Sequence, residues 1–152
     1  MSTDSTPFSH LQDDGQARMV NVGAKPPLRR RAIAEGTLTC RAETIALLRA
    51  HALPKGDVLT VAQIAGIQAA KRTAELIPLC HSLALDAVEI TFTVEATRIV
   101  IRATVDITAR TGVEMEALTA VSVAALTLYD MCKAVDKEMV IEGIRVVEKT
   151  KQ

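Results

Sequence analysis

Aromatic side chains are nearly missing from this 152-residue chain, with no Trp and only Phe8, Phe92 and Tyr129. Proteins that bind nucleic acid by stacking bases on rings need more than that. Net charge is missing too, because 18 Lys and Arg balance 18 Asp and Glu. No bulk attraction draws the chain to nucleic acid or a membrane, so an anionic ligand must be held by a local cluster of cations. The cysteines Cys40, Cys80 and Cys132 are odd in number, far apart and without a C-x-x-C pair. That pattern speaks against a disulfide framework and against a zinc ribbon, and no metal site is expected. A charged n-region leading into an apolar h-region is lacking at the start, so no signal peptide is read. The longest uncharged runs, Val58–Ala70 and Ala117–Tyr129, are too short to cross a bilayer. The expectation is a cytoplasmic protein without membrane or nucleic-acid partners, and no internal repeat or low-complexity block qualifies it.

What the chain has is a core and a clear order of elements. Apolar residues make up 49% of it, enough for one domain to bury a core. Residues 1–31 read as a flexible N-terminal arm, rich in Ser, Asp, Thr and Gly, then Pro26-Pro27 and Arg29-Arg30-Arg31. Residues 32–152 read as a single domain. Ala32 to Cys40 is expected to form a first strand and Ala42 to Leu53 a helix that stops at Pro54. Asp57 has the character of an N-cap for a second helix from Val58 to about Glu75, where Ala62, Ala65, Gly66, Ala69 and Ala70 permit close packing. Val88, Ile90, Phe92 and Val94 alternate with polar residues, as do Ile99, Ile101, Ala103, Val105 and Ile107. A period of two in consecutive runs predicts a hairpin. Thr111-x-x-Glu114 has capping-box spacing and opens a long helix to about Val135, and Val140 to Val147 reads as a last strand. The order β-α-α-β-β-α-β is that of a ferredoxin-like α+β sandwich, an antiparallel sheet with helices on one face.

The long helix is apolar nearly all round, with Leu118, Val121, Val123, Leu126 and Leu128 pointing in every direction. A small domain does not bury such a helix alone. A homo-oligomer that covers the helix or the far face of the sheet is therefore expected.

Four clusters carry candidate chemistry. Lys55-Gly56-Asp57 precedes the second helix. A lysine beside a helix N-terminus is poor dipole chemistry unless an anion sits between them. On spacing alone a solvated loop lysine is the stronger reading. In Leu79-Cys80-His81-Ser82 the adjacent Cys and His side chains diverge, which speaks against a thiolate–imidazole pair. His81 alone can donate to a phosphate or act as acid or base, or is simply a half-buried loop residue. In Gly112-Val113-Glu114-Met115-Glu116 the acidic residues suit a helix start, and equally suit the paired donors of a guanine-like ring. Asp130 and Lys133 are i and i+3 at the end of an uncharged stretch. They read either as a terminal salt bridge or as a coupled acid/base pair whose pKa values move oppositely. Lys71 and Arg72 read as dipole complements.

Four long stretches, Ala65–Thr73, Leu76–His81, Thr111–Ala120 and Val123–Ala134, resemble the molybdenum cofactor biosynthesis protein C family, the cyclic pyranopterin monophosphate synthases. The resemblance runs from about Met19 to Lys149. It implies a phosphorus–oxygen lyase that converts the nucleotide 3′,8-cyclo-7,8-dihydro-GTP to cyclic pyranopterin monophosphate and diphosphate. It implies no redox cofactor, though Mg²⁺ on the diphosphate is compatible with it. A ferredoxin-like subunit in a hexamer built as a trimer of dimers is also implied. Carried over by position, the catalytic pair falls on Asp130 and Lys133. Substrate contacts fall on Lys55, Leu79, Cys80, His81, Glu114, Met115, Glu116 and Lys149. Three departures stand out: Ser82 where the family has Pro, Asn21 where an acidic residue is usual, and no Gly-Gly-Lys-Ser-Gly-like tail before Gln152. A non-catalytic nucleotide sensor on the same fold is the alternative, but it leaves Asp130 and Lys133 unexplained.

Overall fold

The computed structural model describes residues 10–11 and 14–152. In chain order the elements are β1 (Leu28–Thr39), α1 (Ala42–Arg49), α2 (Val58–Lys71), α3 (Thr73–Leu76), β2 (Ala87–Val94), β3 (Arg98–Ala109), α4 (Glu114–Cys132) and β4 (Val140–Lys151). All strand pairs are antiparallel and the sheet order is β2-β3-β1-β4. Helices α2 and α4 pack on each other and on one face of that sheet. This is the expected ferredoxin-like α+β sandwich.

Several boundaries differ from the sequence expectation. Strand β1 begins at Leu28 rather than Ala32, because Leu28 pairs with Ala109 and Arg30 with Lys151. The arginine run assigned to the arm therefore lies in the sheet, and Arg31 grips Asp106 through two bonds of 2.7 and 2.9 Å. Strand β4 likewise runs to Lys151, past Val147. Helix α1 stops at Arg49 and not Leu53, since His51 turns left-handed at φ 53°. The Ala52 N–H then donates to the Leu47 carbonyl at 2.9 Å, a helix-ending closure. Helix α2 ends at Lys71, where Arg72 leaves helical geometry. The buried Thr73 hydroxyl bonds the carbonyls of Ala69 and Ala70, so the chain restarts as the short α3.

The small residues of α2 serve close packing. A Cβ on Gly66 would lie 2.3 Å from Ile90 Cδ1 and 2.9 Å from the Ala120 carbonyl oxygen. No side chain larger than hydrogen fits without displacing α4 or β2. The core between helices and sheet is built from Ala34 and Leu38 of β1, Ile99, Ile101, Ala103 and Val105 of β3, and Ala120, Ala124 and Leu128 of α4. The opposite face of the sheet is polar, with Glu35 paired to Arg102 and Thr39 bonded to Glu142.

Helix α4 is long and apolar enough to cross a membrane by length and composition, unlike the shorter uncharged runs read from sequence. More than half of it is buried inside the subunit, where it acts as the core helix. Its burial is not complete. Leu126 is 59% exposed, and Met115 is exposed as well, alongside Val61 and Ile64 of α2. Exposed apolar side chains thus lie on the helices and also on β4, at Val140, Ile144 and Val147.

Candidate active site

The sequence candidates gather at the two ends of α4. At its C-terminal end stand Lys55, Asp130 and Lys133. Gly56 takes φ +93° in the turn before α2, a conformation that suits glycine, and the turn carries Lys55 toward α4. The Lys55 ammonium lies 2.8 Å from Asp130 Oδ2, and the Lys133 ammonium 2.8 Å from Asp130 Oδ1. One carboxylate is held by two cations, each group about half exposed. Hydrogen bonds from Lys133 and Lys55 hold the Asp130 carboxyl down at about 2, and the bond to Asp130 pushes Lys133 upward. The opposite shifts were expected from burial plus pairing, yet pairing alone produces them here. Lys55 also departs from expectation, since its anion is Asp130. The Asp57 side chain itself caps α2, accepting from the Thr60 N–H at 3.2 Å and from its hydroxyl at 2.8 Å.

At the other end of α4, Leu79, Cys80, His81, Glu114, Met115 and Glu116 line one cavity of about 240 Å³. His81 Nε2 lies 2.6 Å from the Val20 carbonyl oxygen. A carbonyl only accepts, so Nε2 donates the proton in that bond. Glu116 is buried, and that burial pushes its carboxyl upward, with Glu114 adding and His81 opposing. Burial, and then the Glu116 charge, also push the Cys80 thiol up. A thiol raised in this way is a poor nucleophile, and the imidazole is bonded to Val20, as the divergence of adjacent side chains requires.

The capping box does not form. Val113 is the N-cap of α4 and no side chain caps it. Glu114 instead pairs with Lys149 from β4 at 3.1 Å. Its carboxylate folds over Gly112, where a Cβ would meet Oε2 at 2.3 Å. Lys149 shares an adjoining hollow of about 200 Å³ with Arg30, Arg31 and Lys151. Among the described residues, no group of three or more His, Cys, Asp or Glu side chains is placed to hold a metal.

Two sets of residues escaped the sequence reading. Lys71 and Arg72, taken there as dipole complements, line a hollow of about 440 Å³ on the other side of His81 and Glu116. Lys25, with Val20 and Val22, lines the first cavity. The clue in each case was proximity. Lys71 and Arg72 stand just before the segment that carries His81, and Lys25 follows the short alternating run Met19-Val20-Asn21-Val22. The Asn21 side chain accepts the Gly23 N–H at 2.9 Å and so shapes that run.

The two ends do not meet within one chain. Asp130 lies sixteen positions beyond Glu114 on a single helix, a separation of about 24 Å at 1.5 Å per residue.

Comparison with known proteins places the chain in a family. The model of the MoaC family matches residues 19–152. The cyclic pyranopterin monophosphate synthase of Novosphingobium aromaticivorans is 60% identical over 142 residues, covering 93% of this chain and 90% of the relative. The synthase of that name from Nitratidesulfovibrio vulgaris is 54% identical over 145 residues, 94% of this chain and 90% of its own. The molybdenum cofactor biosynthesis bifunctional protein of Chlorobaculum tepidum is 59% identical over 143 residues, 94% of this chain but 46% of the larger relative. With a family match over most of its length and relatives of this closeness, the chain belongs to the MoaC family.

Proposed function

We infer that this protein is a cyclic pyranopterin monophosphate synthase of molybdenum cofactor biosynthesis, a reading supported by the names of its near relatives. The observation that carries it into chemistry is the triad in which Asp130 is gripped by both Lys55 and Lys133. The substrate is 3′,8-cyclo-7,8-dihydro-GTP, and the enzyme acts as a phosphorus–oxygen lyase. Lys149, Lys55 and His81 hold the triphosphate, and Glu114 and Glu116 take the amino and imino edge of the ring. Asp130 and Lys133, held together at 2.8 Å, move protons while the purine-derived ring opens and rebuilds as a pterin. A ligand hydroxyl then gives its proton to the Asp130–Lys133 pair as its oxygen attacks the innermost phosphorus. The bond from that phosphorus to its bridging oxygen breaks, diphosphate leaves with the electron pair, and cations stabilise the charge. Mg²⁺ bound to the diphosphate fits this step but no residue here is assigned to it.

The site is shared between subunits. Two α4 helices set antiparallel across a twofold axis bring Glu114 of one subunit to Asp130 of its partner. Exposed Met115 and Leu126 on the outer side of α4 support such a contact. The assembly is a hexamer built as a trimer of dimers. The free cysteines Cys40, Cys80 and Cys132 suit work in the reducing cytoplasm.

Incubation with the cyclised GTP derivative, followed by mass spectrometry, tests the activity. Appearance of the pterin product and diphosphate is expected. Ligand retained unchanged by an intact oligomer would point to the non-catalytic sensor instead.

A further inference from the structure

Asp136 is fully buried, with 0% of its surface exposed. Its Oδ2 accepts from the Arg41 backbone N–H at 2.9 Å and from the Thr44 hydroxyl at 2.8 Å. Its Oδ1 accepts from the Glu138 N–H at 3.0 Å and faces the Arg41 guanidinium at 3.5 Å. That guanidinium reaches on to the Val135 carbonyl. Arg41 is the N-cap of α1 and its side chain makes no cap bond, and Asp136 holds that helix start through the Arg41 N–H and the Thr44 hydroxyl. The backbone N–H of Asp136 meanwhile donates to the Cys132 carbonyl at 3.1 Å and closes the last turn of α4. One residue thus joins the end of α4 to the start of α1.

Both joined segments lead to the triad. Lys133 is the C-cap of α4, three positions before Asp136. Lys55 stands in the turn that follows α1. The triad itself is about half exposed, and exposed ion pairs of long side chains hold their geometry weakly unless the backbone beneath them is fixed. Two ammonium groups at 2.8 Å from the two oxygens of one carboxylate need that support. We propose that Asp136 is a positioning residue, which fixes Lys133 and Lys55 on either side of Asp130 by locking α4 to α1. This rests on the reading of the triad as catalytic.

The locked state is specific about atoms. Both carboxylate oxygens of Asp136 accept N–H bonds, so an amide in its place points N–H₂ at another donor and leaves a buried group unpaired. Thr44→Val removes one bond to Asp136 and keeps the shape of the side chain. Thr44→Ser keeps the hydroxyl.

The test compares Asp136→Asn, Thr44→Val and Thr44→Ser in turnover of the cyclised GTP derivative, on oligomers verified by light scattering. Asp130→Asn is measured in parallel. For Asp136→Asn and Thr44→Val, kcat should fall about tenfold or more, because misplacing reacting groups costs rate, while KM stays near wild type. Thr44→Ser should restore kcat. Should Asp136→Asn fail to assemble, Thr44→Val and Thr44→Ser decide alone by the same criterion. Unchanged kcat with a lowered melting temperature overturns the proposal, as does a rise in KM at constant kcat. If Asp130→Asn keeps its turnover, it is the catalytic reading of the triad that fails. If Asp130→Asn is inactive and Thr44→Val is not impaired, only the positioning role fails.

Discussion

At the scale of single residues, the site contains carboxylates of opposite character. Asp130 is exposed and doubly paired, and its carboxyl sits at about 2 against an ordinary 3.8. Its ionised form therefore stabilises the fold above the unfolded value, and that contribution is lost as pH falls from about 4 through about 2. We predict that Asp130→Asn and Lys133→Ala each abolish turnover while the oligomer persists at neutral pH. A parallel loss of oligomer and activity, followed by size-exclusion chromatography, would reduce the pair to a terminal salt bridge. Glu116 is the reverse case, raised by burial above its ordinary 4.5. An ionised carboxylate there costs stability at neutral pH, and the cost disappears as pH falls below that value. Glu116→Gln is accordingly expected to melt at or above the wild-type temperature at pH 7 and to lose that advantage in acid. Thermal melts across pH would reveal it, and a mutant destabilised at pH 7 would contradict the assignment. Asp130 and Lys133 were visible in the sequence because charges end a long uncharged stretch. Lys25 was not, because it shares its cavity with residues distant in sequence such as Cys80 and Glu116, whereas Lys71 was passed over although it stands just before the segment that carries His81. Asp136 gave no signal either, since its partners Arg41 and Thr44 lie far away along the chain.

At the scale of elements, periodicity carried most of the reading. The β2–β3 hairpin followed from strict alternation, α4 was read from capping-box spacing at Thr111 and Glu114, and the N-cap at Asp57 is where its side chain predicted. The failures lie at helix ends, where local chemistry competes with distant contacts. Glu114 was read as part of a capping box, but Lys149 on β4 outbids Thr111 for its carboxylate. The break after Lys71 arises from a threonine hydroxyl that takes two helix carbonyls, an interaction that composition alone does not announce. The small residues of α2 were correctly read as a packing surface, and Gly66 is the sharpest instance. Gly66→Ala should destabilise the subunit by about 1–3 kcal/mol, the usual cost of overpacking. Urea unfolding measures it, and a shift toward greater stability, as expected for Ala in an unconstrained helix, would show that α2 and α4 give way easily.

At the scale of the whole molecule, the proposed site is completed by assembly. The residues at opposite ends of α4 serve one ligand if each subunit lends one end to its neighbour. Mixing inactive Glu114→Ala oligomers with inactive Asp130→Ala oligomers, under conditions of subunit exchange, should restore part of the activity. No recovery with exchange verified by mass would place the site within one chain or leave Glu114 as a partner of Lys149 only. The sequence pointed to an oligomer through the all-round apolarity of α4, but not to the surface it uses. The structure shows exposed apolar residues on the helical side, at Val61, Ile64 and Leu126, and also on β4, at Val140, Ile144 and Val147.

The same helix bears on how the protein is made. Glu114–Cys132 has the length and composition of a membrane-crossing segment, yet it is synthesised before β4, the strand that completes the sheet against β1. Without Val140–Lys151 this apolar helix would lie against a three-stranded sheet with one edge of β1 open. Exposed apolar surface and unpaired strand edges make partly folded chains prone to aggregate. Closure of the subunit therefore waits on the last twelve-residue strand.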